Sequence, residues 1–248
     1  MKKIQWWHKD LEKKNFLKNF KSIIQKEDLT TGNTTKNYEK LISKTLNVKY
    51  SIAVSSGSMG TLLAFLALDI RVNDEVIIPN IGWISVINAC KIIGAKPVLV
   101  DVEKDRPIID CDNIEKIISK KTKIIFPIYM NGRAANIKKL KKICKKKNIF
   151  LVEDSAQAVG IKSKNKYLGT FGDIGIFSTS ATKLLTTGLG GFLVTNNKRL
   201  ANKIYNMRRH GFSNIQNIRH WDKFGGNFQI SSIQSAMGIE QLKTLRKK

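Results

Sequence analysis

Short apolar runs alternate with stretches of helical spacing along most of the chain. "YSIAV" (50–54), "EVIIP" (75–79), "PVLVDV" (97–102), "KIIFPIY" (123–129) and "IFLVED" (149–154) are continuous apolar runs of strand length. Between them, apolar positions recur at the helical period over 59–69, 83–93, 111–119 and the lysine-rich "KKLKKICKKKN" (138–148). Residues 9–26 also carry helical spacing, and "DLTTGNTT" (28–35) is a turn-rich break. Strands alternating with helices predict an α/β fold: a mostly parallel central sheet sandwiched by helices. After residue 160 the rhythm changes. "IGIFST" (174–179) and "GGFLVT" (190–195) read as short strands around a glycine-rich loop, followed by a helix over 197–209. No internal repeat or low-complexity linker divides the chain, so one domain over 1–248 is expected.

Composition changes this picture little. The chain has 248 residues, 42% hydrophobic and 25% charged, which is ordinary for a globular protein with its own core. The formal charge of +25 raises the possibility of a nucleic-acid or anionic-membrane partner. Its makeup argues otherwise: 36 of the 44 basic residues are lysine, whereas base and phosphate forks favour arginine. In the densest run, Ile137, Leu140, Ile143 and Cys144 fall on one helical face, leaving the lysines on the wet one. The cysteines, 90, 111 and 144, form no C-x-x-C pair and are odd in number. They read as small core hydrophobes in a reducing cytoplasm. The start, "MKKIQWWHKDLEKK", shows no apolar signal-peptide core. The charge-free stretch "VIIPNIGWISVINAC" (76–90) is 15 residues long, contains Pro79 and two asparagines, and is shorter than the roughly 20 apolar residues a bilayer span needs.

In open parallel sheets ligands sit at the carboxyl ends of the strands, and four such ends hold candidate chemistry. "SSGSMG" (55–60) puts Ser56, Gly57 and Ser58 before a helix, where free N–H groups could hold an anion or Ser56 could merely cap. Trp83 follows the next strand, as core or as an aromatic stacking on a planar ligand. "IFLVED" ends in Glu153 and Asp154, with Gln157 three residues beyond. An acid there calls for a cationic partner, or it caps a following helix. Lys183 lies in "STSATKLLTTGLGG" (178–191), among hydroxyls and glycines that admit a phosphorylated ligand. Alone it reads as surface. In that setting a lysine can also lose its proton and attack a carbonyl. Pyridoxal phosphate asks for this whole set: a lysine for its aldehyde, a carboxylate for its ring nitrogen, donors for its phosphate.

Several segments occur in an order that resembles the DegT/DnrJ/EryC1/StrS family of pyridoxal-phosphate-dependent nucleotide-sugar aminotransferases, of fold type I. They are "TTG" (30–32), "AVSSGS" (53–58), "DEVIIP" (74–79), "GAKPVLVDV" (94–102), "VEDSAQAVG" (152–160), "GDIGIFSTSATKLLTTGLGG" (172–191) and "RHG" (209–211). The resemblance implies that Lys183 forms the Schiff base with the cofactor and then shuttles a proton. It implies that Asp154 partners the pyridinium nitrogen, that Gln157 bonds the ring hydroxyl and that Trp83 covers the ring. Gly57, Ser58 and Ser178 resemble the phosphate ligands. Asn227, in "GGNFQISSIQSA", resembles an asparagine that reaches the neighbouring subunit's phosphate, which implies a homodimer.

The implied reaction moves an amino group, from glutamate, to the keto carbon of a nucleotide-linked deoxysugar, for surface polysaccharides or glycosylated products. The chain departs from the family pattern at Leu189, often Glu there, and at Ser58, often Thr. It stops at "QLKTLRKK", where relatives continue into a smaller C-terminal domain, so a fragment or a shortened product is expected. The family's sugar dehydratases carry histidine in place of the lysine, so Lys183 argues against that reaction. Intact Asp154, Gln157 and Lys183 argue against a non-catalytic homologue. His210 and Arg133 either face substrate or are structural.

Overall fold

The computed structural model describes residues 13–25, 29–30, 32–212 and 224–245. The helices are α1 (Lys13–Gln25), α2 (Asn33–Leu46), α3 (Gly57–Ala67), α4 (Ser85–Ile93), α5 (Ile114–Ile117), α6 (Ile137–Lys147), α7 (Lys198–Arg208) and α8 (Ser232–Thr244). The strands are β1 (Tyr50–Val54), β2 (Glu75–Pro79), β3 (Lys96–Val100), β4 (Val102–Glu103), β5 (Arg106–Ile109), β6 (Thr122–Ile125), β7 (Phe150–Asp154), β8 (Lys162–Ser163), β9 (Lys166–Tyr167), β10 (Ile174–Ser178) and β11 (Gly191–Thr195).

Seven strands form one sheet in the order β1-β11-β10-β7-β6-β2-β3. β10, β7, β6, β2 and β3 pair in parallel, and β11 runs antiparallel between β1 and β10. The expected mostly parallel sheet is therefore present. The pairs β4–β5 and β8–β9 are separate two-stranded hairpins. One apolar cluster packs α3, α4 and α7 on one face of the sheet, and a second packs α5 and α6 on the other. A third joins α2 to Phe177 and Phe192 beneath β10 and β11, whose rings stack 4.6 Å apart.

Several expected boundaries move. α2 begins inside the turn-rich break and runs on over residues 36–46, where no element was expected. Its buried positions, Thr35, Tyr38, Ile42 and Leu46, do follow helical spacing, but one of the four is a threonine. The expected strand over 123–129 is shorter because Pro127 has no N–H for the ladder. The expected helix over 111–119 shrinks to Ile114–Ile117. There Asp110 accepts hydrogen bonds from Asp112 N (2.8 Å) and Asn113 Nδ2 (2.6 Å), which favours a turn. Of the helix expected over 9–26, residues 9–12 and 26 lie outside the described residues. The lysine-rich helix forms with Ile137, Leu140, Ile143 and Cys144 buried, and all three cysteines are buried.

A buried ion pair ties the amino-terminal part to the sheet. Arg208, fully buried in α7, pairs with Glu39 of α2 and donates to Ala53 O (2.7 Å). Glu39 accepts from Ala53 N (2.9 Å). Two charged side chains thus take over the hydrogen bonds of one residue of β1.

Candidate active site

β1 and β10 each run antiparallel to β11, so both end at the edge where β11 begins. Gly191 pairs with Val54 on one side and Ser178 on the other. The turn after β1 is thereby set against the end of β10. Ser56 caps α3, accepting from Met59 N at 3.1 Å, so the capping reading holds for that residue. Gly57 is the first residue of α3. A β-carbon on it would stand 3.0 Å from Ser178 Cβ, so the two walls meet as closely as they do because Gly57 has no side chain. Ser58 follows in the first turn, where N–H groups remain unpaired within the helix.

β7 delivers two acids. Asp154 pairs with Ile176 of β10, and its backbone is bonded to Pro127 O (2.9 Å) and Tyr129 N (3.0 Å). Its side chain is 8% exposed and accepts Ala156 N at 2.9 Å. No helix follows, so the helix-cap reading fails for Asp154. Burial pushes its carboxyl up to about 6, while the positive charge of Lys183 pulls it down. The 29-residue separation in sequence is thus closed in space, and acid and lysine act on each other.

Lys183 sits on the loop between β10 and β11, half-buried, with its N–H bonded to Ser180 O (3.0 Å). The neck of that loop is zipped. Thr179 N donates to Gly190 O (2.9 Å), Thr187 N to Thr179 O (2.8 Å), and the Thr179 and Thr187 hydroxyls are 2.7 Å apart. These buried threonines bond one another and hold the loop, where the sequence reading had set them around a ligand. Ser178, at the strand end, is half-buried and stays at the cleft edge.

Trp83 overturns the core reading. It is 72% exposed, in the loop between β2 and α4. Gly82 of that loop lies so close to Ile128 that any side chain there would strike it, and Ile128 bridges Asp154 in the sheet. The indole is therefore carried next to the acid's strand yet left uncovered. Gln157 is exposed; its Oε1 accepts Asn131 N (2.9 Å) and its Nε2 donates to Met130 Sδ (3.3 Å). Asn227 is exposed and bridges Arg209, and the next residue, Phe228, accepts Ser55 N (2.9 Å) beside the α3 turn. His210 and Arg133 are also exposed.

Glu153 was noted in the sequence without a role. Its buried carboxylate accepts Tyr129 OH (2.6 Å), Gly169 N (3.1 Å), Phe171 N (2.6 Å) and Gly172 N (2.6 Å). It folds the 169–172 turn behind the site. Arg208 and Glu39 were missed outright. The one available signal was an arginine on the apolar side of its helix, near Ala201 and Ile204.

Gly57 and Ser178 thus meet at the ends of β1 and β10, the buried Asp154 ends the neighbouring β7 within the field of Lys183, and Trp83 stands exposed on the loop after β2. The chain belongs to the DegT/DnrJ/EryC1/StrS aminotransferase family, whose model matches residues 10–248. A GDP-perosamine synthase of Escherichia coli O157:H7 is 36% identical over 85% of this chain and 58% of its own length. The chain thus spans about three fifths of that relative. An aminotransferase from Psychrobacter cryohalolentis superposes with a TM-score of 0.90 at 27% identity, covering 97% of this chain and 64% of that one. An E. coli GDP-4-keto-6-deoxy-D-mannose-3-dehydratase with bound hydrated PLP superposes at 0.85 with 28% identity, covering 94% and 66%. Among the described residues no helix is long and apolar enough to cross a membrane.

Proposed function

We propose that this chain is the cofactor-binding domain of a pyridoxal-phosphate-dependent aminotransferase that transfers an amino group, with glutamate as donor, to a keto-deoxysugar carried on a nucleotide. The observation that carries the reading is the buried Asp154 carboxylate held in the field of Lys183, beside a cradle that a side chain on Gly57 would fill. The residues present suit the cofactor: a lysine and a buried acid lie close enough for the lysine's charge to act on the acid, and Gly57 leaves no side chain at the turn beside Ser178. The similarity to a GDP-perosamine synthase supports the substrate class.

Bound there, pyridoxal phosphate supplies a carbonyl that condenses with amines and a protonated ring that accepts electrons. Lys183 Nζ holds the carbonyl end. As a free amine, Lys183 Nζ would serve as the general base and acid that moves a proton between the donor's α-carbon and its neighbouring atom. The Asp154 carboxylate keeps the ring nitrogen protonated. The Gln157 amide orients the ring hydroxyl, and Trp83 covers the ring face and excludes water. Gly57, Ser58 and Ser178 hold the phosphate. We further place the working form in the cytoplasm as a homodimer, with Asn227 directed to the neighbouring subunit's cradle. Trp83 and Asn227 are both exposed, which leaves them available to a second copy.

The test is the visible spectrum of the protein with added pyridoxal phosphate, beside Lys183→Ala, before and after borohydride. A band in the parent, fixed covalently at Lys183 by reduction, absent from the variant and bleached by glutamate, is the expected result. Well-folded parent without a band sinks the proposal.

A further inference from the structure

A second cleft, of about 930 Å³, opens between the start of α6 and the β8–β9 hairpin and shares no residue with the site above. Lys138 and Lys141 of α6 line one side, and Lys162, Lys164 and Lys166 of the hairpin line the other. No acidic residue lines it among the described residues. Outside the cleft, Lys139 pairs with Asp112, Lys203 with Asp69 and Lys243 with Glu240.

Two aromatic rings stand in the wall, each beneath one ammonium group. Lys162 Nζ lies 4.7 Å from the Tyr167 ring centre, and Lys166 Nζ lies 5.0 Å from that of Phe171. At the hairpin tip Lys164 takes φ +54°, a conformation that glycine or asparagine adopts more easily. Burial and the neighbouring Lys141 charge lower the Lys166 pKa below its ordinary value, so the like charges already disturb one another. The first turn of α6 adds its N–H groups and the positive end of its dipole. Five cations around a concavity stabilise a compact, multiply charged anion far better than a singly charged one. Lysine serves phosphate as a point charge, and the volume falls within the roughly 300–1,000 Å³ of small-ligand sites.

We propose that the cleft between α6 and the β8–β9 hairpin is a binding site for a small diphosphate-bearing anion, held by Lys138, Lys141, Lys162, Lys164 and Lys166.

The experiment titrates inorganic pyrophosphate into the full chain by calorimetry at fixed ionic strength. Three proteins are compared: the parent, a Lys162→Gln/Lys164→Gln/Lys166→Gln variant, and a Lys145→Gln/Lys146→Gln/Lys147→Gln variant. The last removes the same charge from the opposite end of α6. One saturable site is expected, weakened about tenfold or more by the hairpin substitutions and less than about twofold by the control. Equal weakening in both variants means diffuse charge attraction and overturns the site. Absence of saturable binding overturns it too. So does binding of single-stranded RNA or phosphatidylglycerol vesicles through the hairpin lysines when pyrophosphate does not compete, because the cleft then serves a macromolecular surface.

Discussion

Glu153 and Asp154 are adjacent, both acidic, both buried at the end of β7, and they are built for opposite ends. Successive strand residues face opposite sides of a sheet, so the two carboxylates enter different surroundings. Glu153 meets four donors and has its oxygens fully engaged. Asp154 meets one backbone N–H and a lysine across the cleft. Burial raises both carboxyl groups above their ordinary values. A saturated buried charge fastens structure; one left with spare acceptor capacity beside a cleft is poised for a ligand.

The sharpest way to break the comparison is to exchange each carboxylate for its amide. Asp154→Asn is expected to slow the glutamate half-reaction on the order of 10²–10³-fold while leaving the melting temperature unchanged or higher. Glu153→Gln sets an NH2 group against backbone donors. It is expected to cost about 3 kcal/mol in urea unfolding, with melting the first property to fail. If the two variants exchange phenotypes, the division of labour is wrong.

Titration sharpens the same contrast. The folded Asp154 carboxyl sits at about 6 against an ordinary 3.8, so the cofactor-free folded state holds its proton where the unfolded chain has lost it. This contribution is fully present below about pH 4 and is lost as pH rises through about 6, a swing of roughly 3 kcal/mol. Glu153 acts with the same sign. Urea midpoints of the parent are therefore expected to fall between pH 4.5 and 6.5, with a shallower fall in Asp154→Asn. An identical slope in both assigns the effect to Glu153. The smallest expected effect is at the cradle. Gly57→Ala brings a methyl to 3.0 Å from Ser178 Cβ and is expected to weaken cofactor binding about tenfold with under about 1 kcal/mol lost in stability. Fluorescence titration with pyridoxal phosphate checks it.

The sheet was legible because its strands are continuous apolar runs: β1 and β2 fall at the residues the pattern marks. α2 was hidden because "NTTKNYEK" is rich in residues that favour caps and turns, and its burial against α8 depends on residues 200 positions away. Trp83 could not be read from its size, because burial is set by what lies over a loop. The convergence of Asp154 and Lys183 is a property of parallel strand order, which places distant strand ends side by side. The Thr179–Thr187 zipper is different in kind: a hydroxyl bonded inward and one offered to a ligand have the same letter in the sequence.

The antiparallel insertion of β11 also sets a timetable. β1 forms its ladder only with β11, and Thr35 of α2 meets Ser235 of α8. β1 therefore has no strand of this sheet to join until residues 191–195 have been made. Until then its Ile52, Ala53 and Val54 are exposed to any other edge that can pair with them. The Arg208–Glu39 clamp closes later still, since Arg208 is synthesised after β11. Assembly of the Gly57–Ser178 cradle is thus a late event, and a nascent chain halted before residue 191 lacks both the cradle and the strand that pairs with β1.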